Sequence, residues 1–135
     1  HYLKREKIRE KLFRDAIPLL RFLSKHNIKI GVVSSYPTAS LLAEVRNHGI
    51  STLLGFVRGD CHTKAGHIKD FLKRHKLRPE EVVVVGDMMF DIKEGKKCGV
   101  ITAAYLGGVD SKSKLMPQKP DIVLSSLSAL KRHVK

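Results

Sequence analysis

Four consecutive valines, Val82 to Val85, follow Arg78-Pro79-Glu80 and run into Gly86. An unbroken β-branched run between turn residues predicts a short strand buried on both faces, as in a parallel sheet covered by helices. Further strands are predicted over residues 28–34, 53–59 (weaker), 100–106 and 121–125. Between them the apolar spacing changes to that of helices. Leu41, Leu42 and Val45 face inward from a helix over 39–48, and Ile68, Phe71 and Leu72 fall at i, i+3 and i+4 on another. A further helix follows the valine strand and closes at Gly99, and 126–134 form a last one. Near the start, Leu3, Ile8, Leu12 and Phe13 mark a helix with a thin apolar face. Asp15 then reads as the cap of a second helix, with Pro18 in its first turn and Leu19, Phe22 and Leu23 inward. Residues 107–120, opening with Gly107-Gly108 and holding Pro117 and Pro120, read as a polar loop. Strands alternating with helices predict a three-layer, Rossmann-like α/β domain over residues 1–135.

Composition narrows this picture. The chain has 135 residues, 42% of them hydrophobic and 29% charged, which excludes a disordered chain and permits a sizeable core. No apolar run approaches the roughly 20 residues of a membrane span, and no signal segment is evident. Cys61 and Cys98 lack metal-ligand spacing and read as free thiols in a reducing cytoplasm. The net charge is +13 and the pI about 10.0. The excess is spread: residues 1–27 carry eight Lys/Arg against three acids, 62–79 six against one, and 109–135 six against two. Such a surface attracts polyanions in general and suits a phosphorylated substrate, but it is no compact basic patch interleaved with aromatics.

Candidate chemistry gathers at strand ends. Gly86-Asp87 places a carboxylate at the carboxyl end of the valine strand, the edge where open α/β sheets bind ligands. Asp91 lies about one helical turn further on, so both carboxylates can face one crevice. An aspartate ahead of a helix is equally the pattern of an N-cap. Ser34 ends the first predicted strand, and Lys64 opens the helix after the second. Alone, the serine reads as a turn hydroxyl and the lysine as a solvated charge. Met88, Met89 and Phe90 read as packing residues, with contact to a substrate as the alternative.

Together, Val32-Val33-Ser34-Ser35, His62-Thr63-Lys64-Ala65-Gly66 and Gly86-Asp87-Met88-Met89-Phe90-Asp91 resemble the haloacid dehalogenase superfamily of phosphohydrolases. The resemblance runs from about Asp15 to the C-terminus. It implies a Mg²⁺-dependent phosphomonoester phosphatase that transfers a phosphoryl group to an aspartate. Ser34 and Ser35 would hold phosphate oxygens. Lys64 would offset the repulsion between nucleophile and phosphate. Asp87 would bind Mg²⁺, with Asp91 beside it as a metal carboxylate or orienting metal waters or Lys64. On this reading Lys64, Ser34 and Asp91 form the catalytic set.

The family's nucleophile lies in an Asp-x-Asp motif after an apolar strand, upstream of all these motifs, and the chain contains no Asp-x-Asp. The same strand lies mid-sheet in the family, between those ending here at Ser34 and Asp87. The chain begins at His1, not Met, and the expectation is a truncated or processed piece. A lost N-terminal segment or a second chain would supply the strand, and residues 1–14 would be the remnant of a cap or linker helix. Alternatively, the two flanking strands pair directly. A different class of function, a non-catalytic module holding phosphate, nucleic acid or another polyanion, is favoured by the missing nucleophile and the high pI. Retention of Ser34, Lys64, Asp87 and Asp91 together argues for the phosphatase.

Overall fold

The structure, a computed structural model, describes residues 2–134, side chains excepted at 2–10, 12 and 13. The elements run α1 (Tyr2–Lys25), β1 (Gly31–Val33), α2 (Thr38–Asn47), β2 (Phe56–Arg58), α3 (Ala65–His75), β3 (Val83–Gly86), α4 (Met89–Lys97), β4 (Ile101–Tyr105), α5 (Lys112–Leu115) and β5 (Ile122–Leu124). Short 3-10 turns link several of them, and a 3-10 helix at Leu127–His133 stands where a closing α-helix was expected. Strand pairing is parallel throughout, in the order β1-β2 and β3-β4-β5.

Side-chain alternation along each strand divides the core into two layers. Val83, Ala103 and Tyr105 pack with Leu19 and Leu23 of α1 and with Leu127 and Leu130. On the opposite face Val84 joins Phe56, Ile68, Phe71 and Leu72 of the α3 layer. Ala104 meets Ile92 of α4 and the fully buried Leu115 of α5. The two sheets share their covering helices. Ile17 and Leu20 of α1 pack against Val45, Ile50 and Leu54, the cluster that Val32 of β1 also joins, while Leu19 and Leu23 belong to the cluster of Val83, Ala103 and Tyr105. The α3 layer spans Val33 and Val84 in the same way.

The sheets nevertheless do not join. Among the described residues β1 and β3 share no ladder. A cavity of about 750 Å³ lies between them, lined by Val32 and Val33 on one side and Val83, Val84 and Val85 on the other. This corrects the expectation of a valine strand buried on both faces. Val85 is 36% exposed and Val83 and Val84 only half-buried, because β3 has a neighbour on one side alone.

A second correction concerns the N-terminus. Asp15 caps no helix start; α1 is continuous for 24 residues, with Pro18 in its interior. Proline removes one intrahelical hydrogen bond and crowds the preceding turn, a cost of about 3 kcal/mol in a helix interior. Burial of Ala16, Ile17, Leu19, Leu20 and Leu23 against both sheets opposes that cost. The faces expected at Leu3, Ile8, Leu12 and Phe13 belong to side chains outside those described. In the expected polar loop, α5 forms because Leu115 has an apolar site to fill.

Asp121 fixes where β5 begins. Its Oδ2 accepts the Thr102 N–H at 2.8 Å and the Thr102 hydroxyl at 3.1 Å, and Thr102 is fully buried. Asp121→Ala is therefore expected to cost about 1–3 kcal/mol by leaving buried donors unpaired. The Thr102 amide, then its hydroxyl, hold the Asp121 carboxyl below its ordinary 3.8. A depressed carboxyl stabilises the fold above the unfolded pKa and stops doing so as pH falls through the folded value. Urea unfolding of the wild type and Asp121→Ala should therefore differ at neutral pH and converge in strong acid.

Candidate active site

Gly86 ends β3 opposite Ala104 of β4, and the chain turns at Asp87 and Met88 into α4. Two carboxylates close this turn. Asp91 reaches back to accept the Met88 N–H at 3.1 Å. Asp110, from the loop after β4, accepts the Met89 N–H at 2.7 Å. The amides left over at the start of α4 are thus met by Asp91 and Asp110, and the N-cap position falls on Met88. Asp87 is free of that duty.

Its carboxylate is held from the β4 side instead. Oδ2 of Asp87 accepts the Val109 N–H at 2.8 Å, and its carbonyl accepts the Asp110 N–H at 3.0 Å. Glycine at 108 permits this approach, since a β-carbon there would lie 2.6 Å from Asp87 Cγ. Burial, then the charge of Asp91, raise the Asp87 carboxyl above the ordinary range, partly offset by the Val109 amide.

Lys64 comes to the turn from the head of α3. Its ammonium donates to Asp91 Oδ1 in a salt bridge, with the Asp91 side chain 6% exposed and that of Lys64 17%. Both oxygens of Asp91 are therefore engaged, one by Lys64 and one by Met88. Lys64, Asp87 and Asp91 line the cavity between the sheets. Ser34 and Ser35 are not among its lining residues. Ser34 follows the last residue of β1 as Asp87 follows that of β3; its Oγ accepts the Tyr36 N–H at 3.1 Å, which leaves its own proton to donate. Ser35 is exposed.

Met88, Met89 and Phe90 do not pack as expected. They are 36–42% exposed, because the turn is held by backbone amides on carboxylates rather than by apolar contact. Two residues at the site escaped the sequence reading. Asp110 sits in a stretch read as loop. Glu94, three residues after Asp91, is the only acid after Asp91 in a lysine-rich helix, and that spacing is the signal that could have found it. Its Oε1 accepts the Lys64 and Ala65 N–H groups at 3.0 and 3.3 Å.

An oxygen-rich turn with a buried carboxylate beside a second one suits a hard cation such as Mg²⁺. Asp87 is the residue that fits, for its carboxylate lies on the cavity and is disfavoured as a bare charge by burial and by Asp91. Among the described residues no group of three or more His, Cys, Asp or Glu is arranged to hold a metal.

The family model of haloacid dehalogenase-like hydrolases matches residues 2–105. The chain belongs to this family. Among curated proteins it is 25% identical over 121 residues to a phosphoglycolate phosphatase of Synechococcus elongatus, covering 88% of this chain and 57% of that one. A phosphoglycolate phosphatase of Photorhabdus laumondii is 27% identical over 124 residues, covering 88% and 53%. The chain thus spans little more than half the length of these hydrolases. The fold matches a haloacid dehalogenase-like family hydrolase of Streptococcus pneumoniae with a TM-score of 0.79 at 22% identity, over 88% of this chain and 58% of that one. It matches a hydrolase of the same superfamily from Ehrlichia chaffeensis with a TM-score of 0.68 at 20% identity, over 87% and 55%. Among the described residues no helix is long and apolar enough to cross a membrane.

Proposed function

We propose that this chain is the greater part of the core of a Mg²⁺-dependent phosphatase acting on small phosphomonoesters in the cytoplasm. The observation that carries the reading is the meeting of Lys64, Asp87 and Asp91 at one end of the cavity between β1 and β3. Two phosphoglycolate phosphatases among its relatives make 2-phosphoglycolate the first substrate to try.

In this reading Ser34 and Ser35 donate to the phosphate oxygens from the end of β1. The Lys64 ammonium, fixed by Asp91, lies between phosphate and nucleophile and lowers their repulsion. Asp91 acts through Lys64, both its oxygens being engaged. Asp87 would hold the ion, which would supply neutralisation of phosphate charge. The nucleophile is an aspartate on an apolar strand supplied by polypeptide outside these residues, seated in the cavity and paired to β1 and β3 at once. Strands β1 and β3 face each other across an aliphatic cavity and share no ladder among the described residues, which favours that occupant. A carboxylate oxygen then bonds to phosphorus as the P–O(ester) bond breaks and the leaving oxygen takes a proton from water; a second water attacks phosphorus, breaking the aspartyl O–P bond to restore the carboxylate and release phosphate. The polyanion-binding alternative rests on the missing nucleophile and the net charge, and no contact at the site favours it over the phosphatase.

Asp87→Asn is the informative variant. Asparagine keeps an oxygen for the Val109 amide and removes a half-buried charge beside Asp91, so it is expected to raise the Tm of the metal-free chain. Millimolar Mg²⁺ is expected to raise the Tm of the wild type and not that of Asp87→Asn. A Mg²⁺-induced rise that survives in Asp87→Asn would remove Asp87 from the metal site.

A further inference from the structure

We infer that Glu94 is a positioning residue for Lys64, and that α4 clamps this lysine at both ends of its length. The inference rests on the reading of Lys64 as the cation of a phosphate site. Glu94 is 2% exposed, and one of its oxygens accepts two successive backbone amides, those of Lys64 and Ala65. Its other oxygen meets the Lys97 ammonium at 2.9 Å. These two amides open α3, whose own N-cap residue offers no side-chain cap. A carboxylate from a neighbouring helix supplies what a serine or aspartate at the cap would normally supply.

The register of the two acids gives this cap its further consequence. Asp91 and Glu94 lie three residues apart on α4, hence on one face. One grips the ammonium of Lys64 and the other its backbone. A lysine side chain carries about 2 kcal/mol of rotamer entropy, so an ammonium tied only at its tip could reach Asp91 from many backbone positions. With the backbone pinned three residues from the partner of its tip, a single chain path remains. Glu94 therefore sets where the charge of Lys64 stands relative to Asp87 without touching a ligand.

The test is ¹H–¹⁵N NMR of the lysine ammonium groups, with thermal melting alongside. The wild-type chain should show a protected Lys64 signal that vanishes in Asp91→Asn. Glu94→Ala should speed its hydrogen exchange by about tenfold or more, the effect of losing one or two net hydrogen bonds. Glu94→Gln keeps an acceptor oxygen but loses the charge that makes such bonds about twice as strong, and should give an intermediate rate. Lys97→Met should leave the signal in place. If Glu94→Ala does not fold, Glu94→Gln decides. A lowered Tm with the Lys64 shift and exchange rate unchanged would make Glu94 a plain structural cap and overturn the inference. Inorganic phosphate added to the wild type tests the underlying reading separately. A shifted Lys64 signal supports the phosphate site, and an unmoved one defeats it while leaving the comparison of variants intact.

Discussion

Gly86→Ala is expected to destabilise the chain by about 3 kcal/mol or more and to dismantle the site. A β-carbon at Gly86 would press on Asp91 Cβ and lie 2.6 Å from its Oδ2 and 2.7 Å from Cγ. Asp91 has nowhere to retreat, since it is buried and bonded to both Lys64 and Met88. Overpacking in a tight interior costs about 1–3 kcal/mol by itself. Displacing Asp91 adds the loss of a buried ion pair, so the effect should exceed that range. Urea unfolding measures the stability, and the protected Lys64 ammonium signal reports the geometry. An alanine variant with wild-type stability and an intact signal would mean that β3 and α4 can separate without cost. Glycine at this turn is then dictated by the closeness of strand end and helix, since the conformation there is not left-handed.

The second large effect is an asymmetry between single and double replacement of Lys64 and Asp91. Asp91→Leu leaves a largely buried ammonium without its partner and the Met88 amide without its acceptor. Lys64→Met leaves a buried carboxylate. Each single change is expected to cost about 3–5 kcal/mol, the usual penalty for orphaning a buried charge. The double variant, with neither charge, should cost clearly less than the sum of the two. A double-mutant cycle in urea reads the coupling. Additive costs would mean that water, rather than each partner, satisfies the two groups. Such a pair, with its desolvation cost, is weak evidence of a purely stabilising role, which agrees with its place at the end of the cavity.

Much of this arrangement can be read from the chain before any coordinates. The valine run, the Ile68-Phe71-Leu72 spacing and the Gly86-Asp87-x-x-x-Asp91 turn carry their elements in local pattern, and each element stands where its pattern puts it. What escapes is whatever depends on a neighbour. Valines announce a buried strand, yet Val85 is exposed because the space beside β3 is empty of these residues. Asp15 and Pro18 carry the signals of a helix start, but apolar contact with both sheets outweighs them and α1 continues. Glu94 looks like one more surface acid until α3 is laid against α4, for its partners lie 29 and 30 residues away. Asp110 is hidden likewise, its duty being to an amide 21 residues upstream. The motif residues of the site are local signals; the residues that hold them in place are not.

The measurement that tests the central claim most directly is Mg²⁺-dependent phosphate release from a panel of phosphomonoesters, 2-phosphoglycolate included. It compares the chain alone with the chain plus a synthetic apolar strand ending in Asp-x-Asp. Hydrogen exchange at the β1 and β3 amides reports whether the strand is seated. The prediction is no release from the folded chain alone, and release in the mixture that is lost both with Asp87→Asn and when the first aspartate of the peptide becomes asparagine. Equal release by the chain alone would place the nucleophile within these residues. A seated strand that protects both edges and yet yields no phosphate would contradict the account.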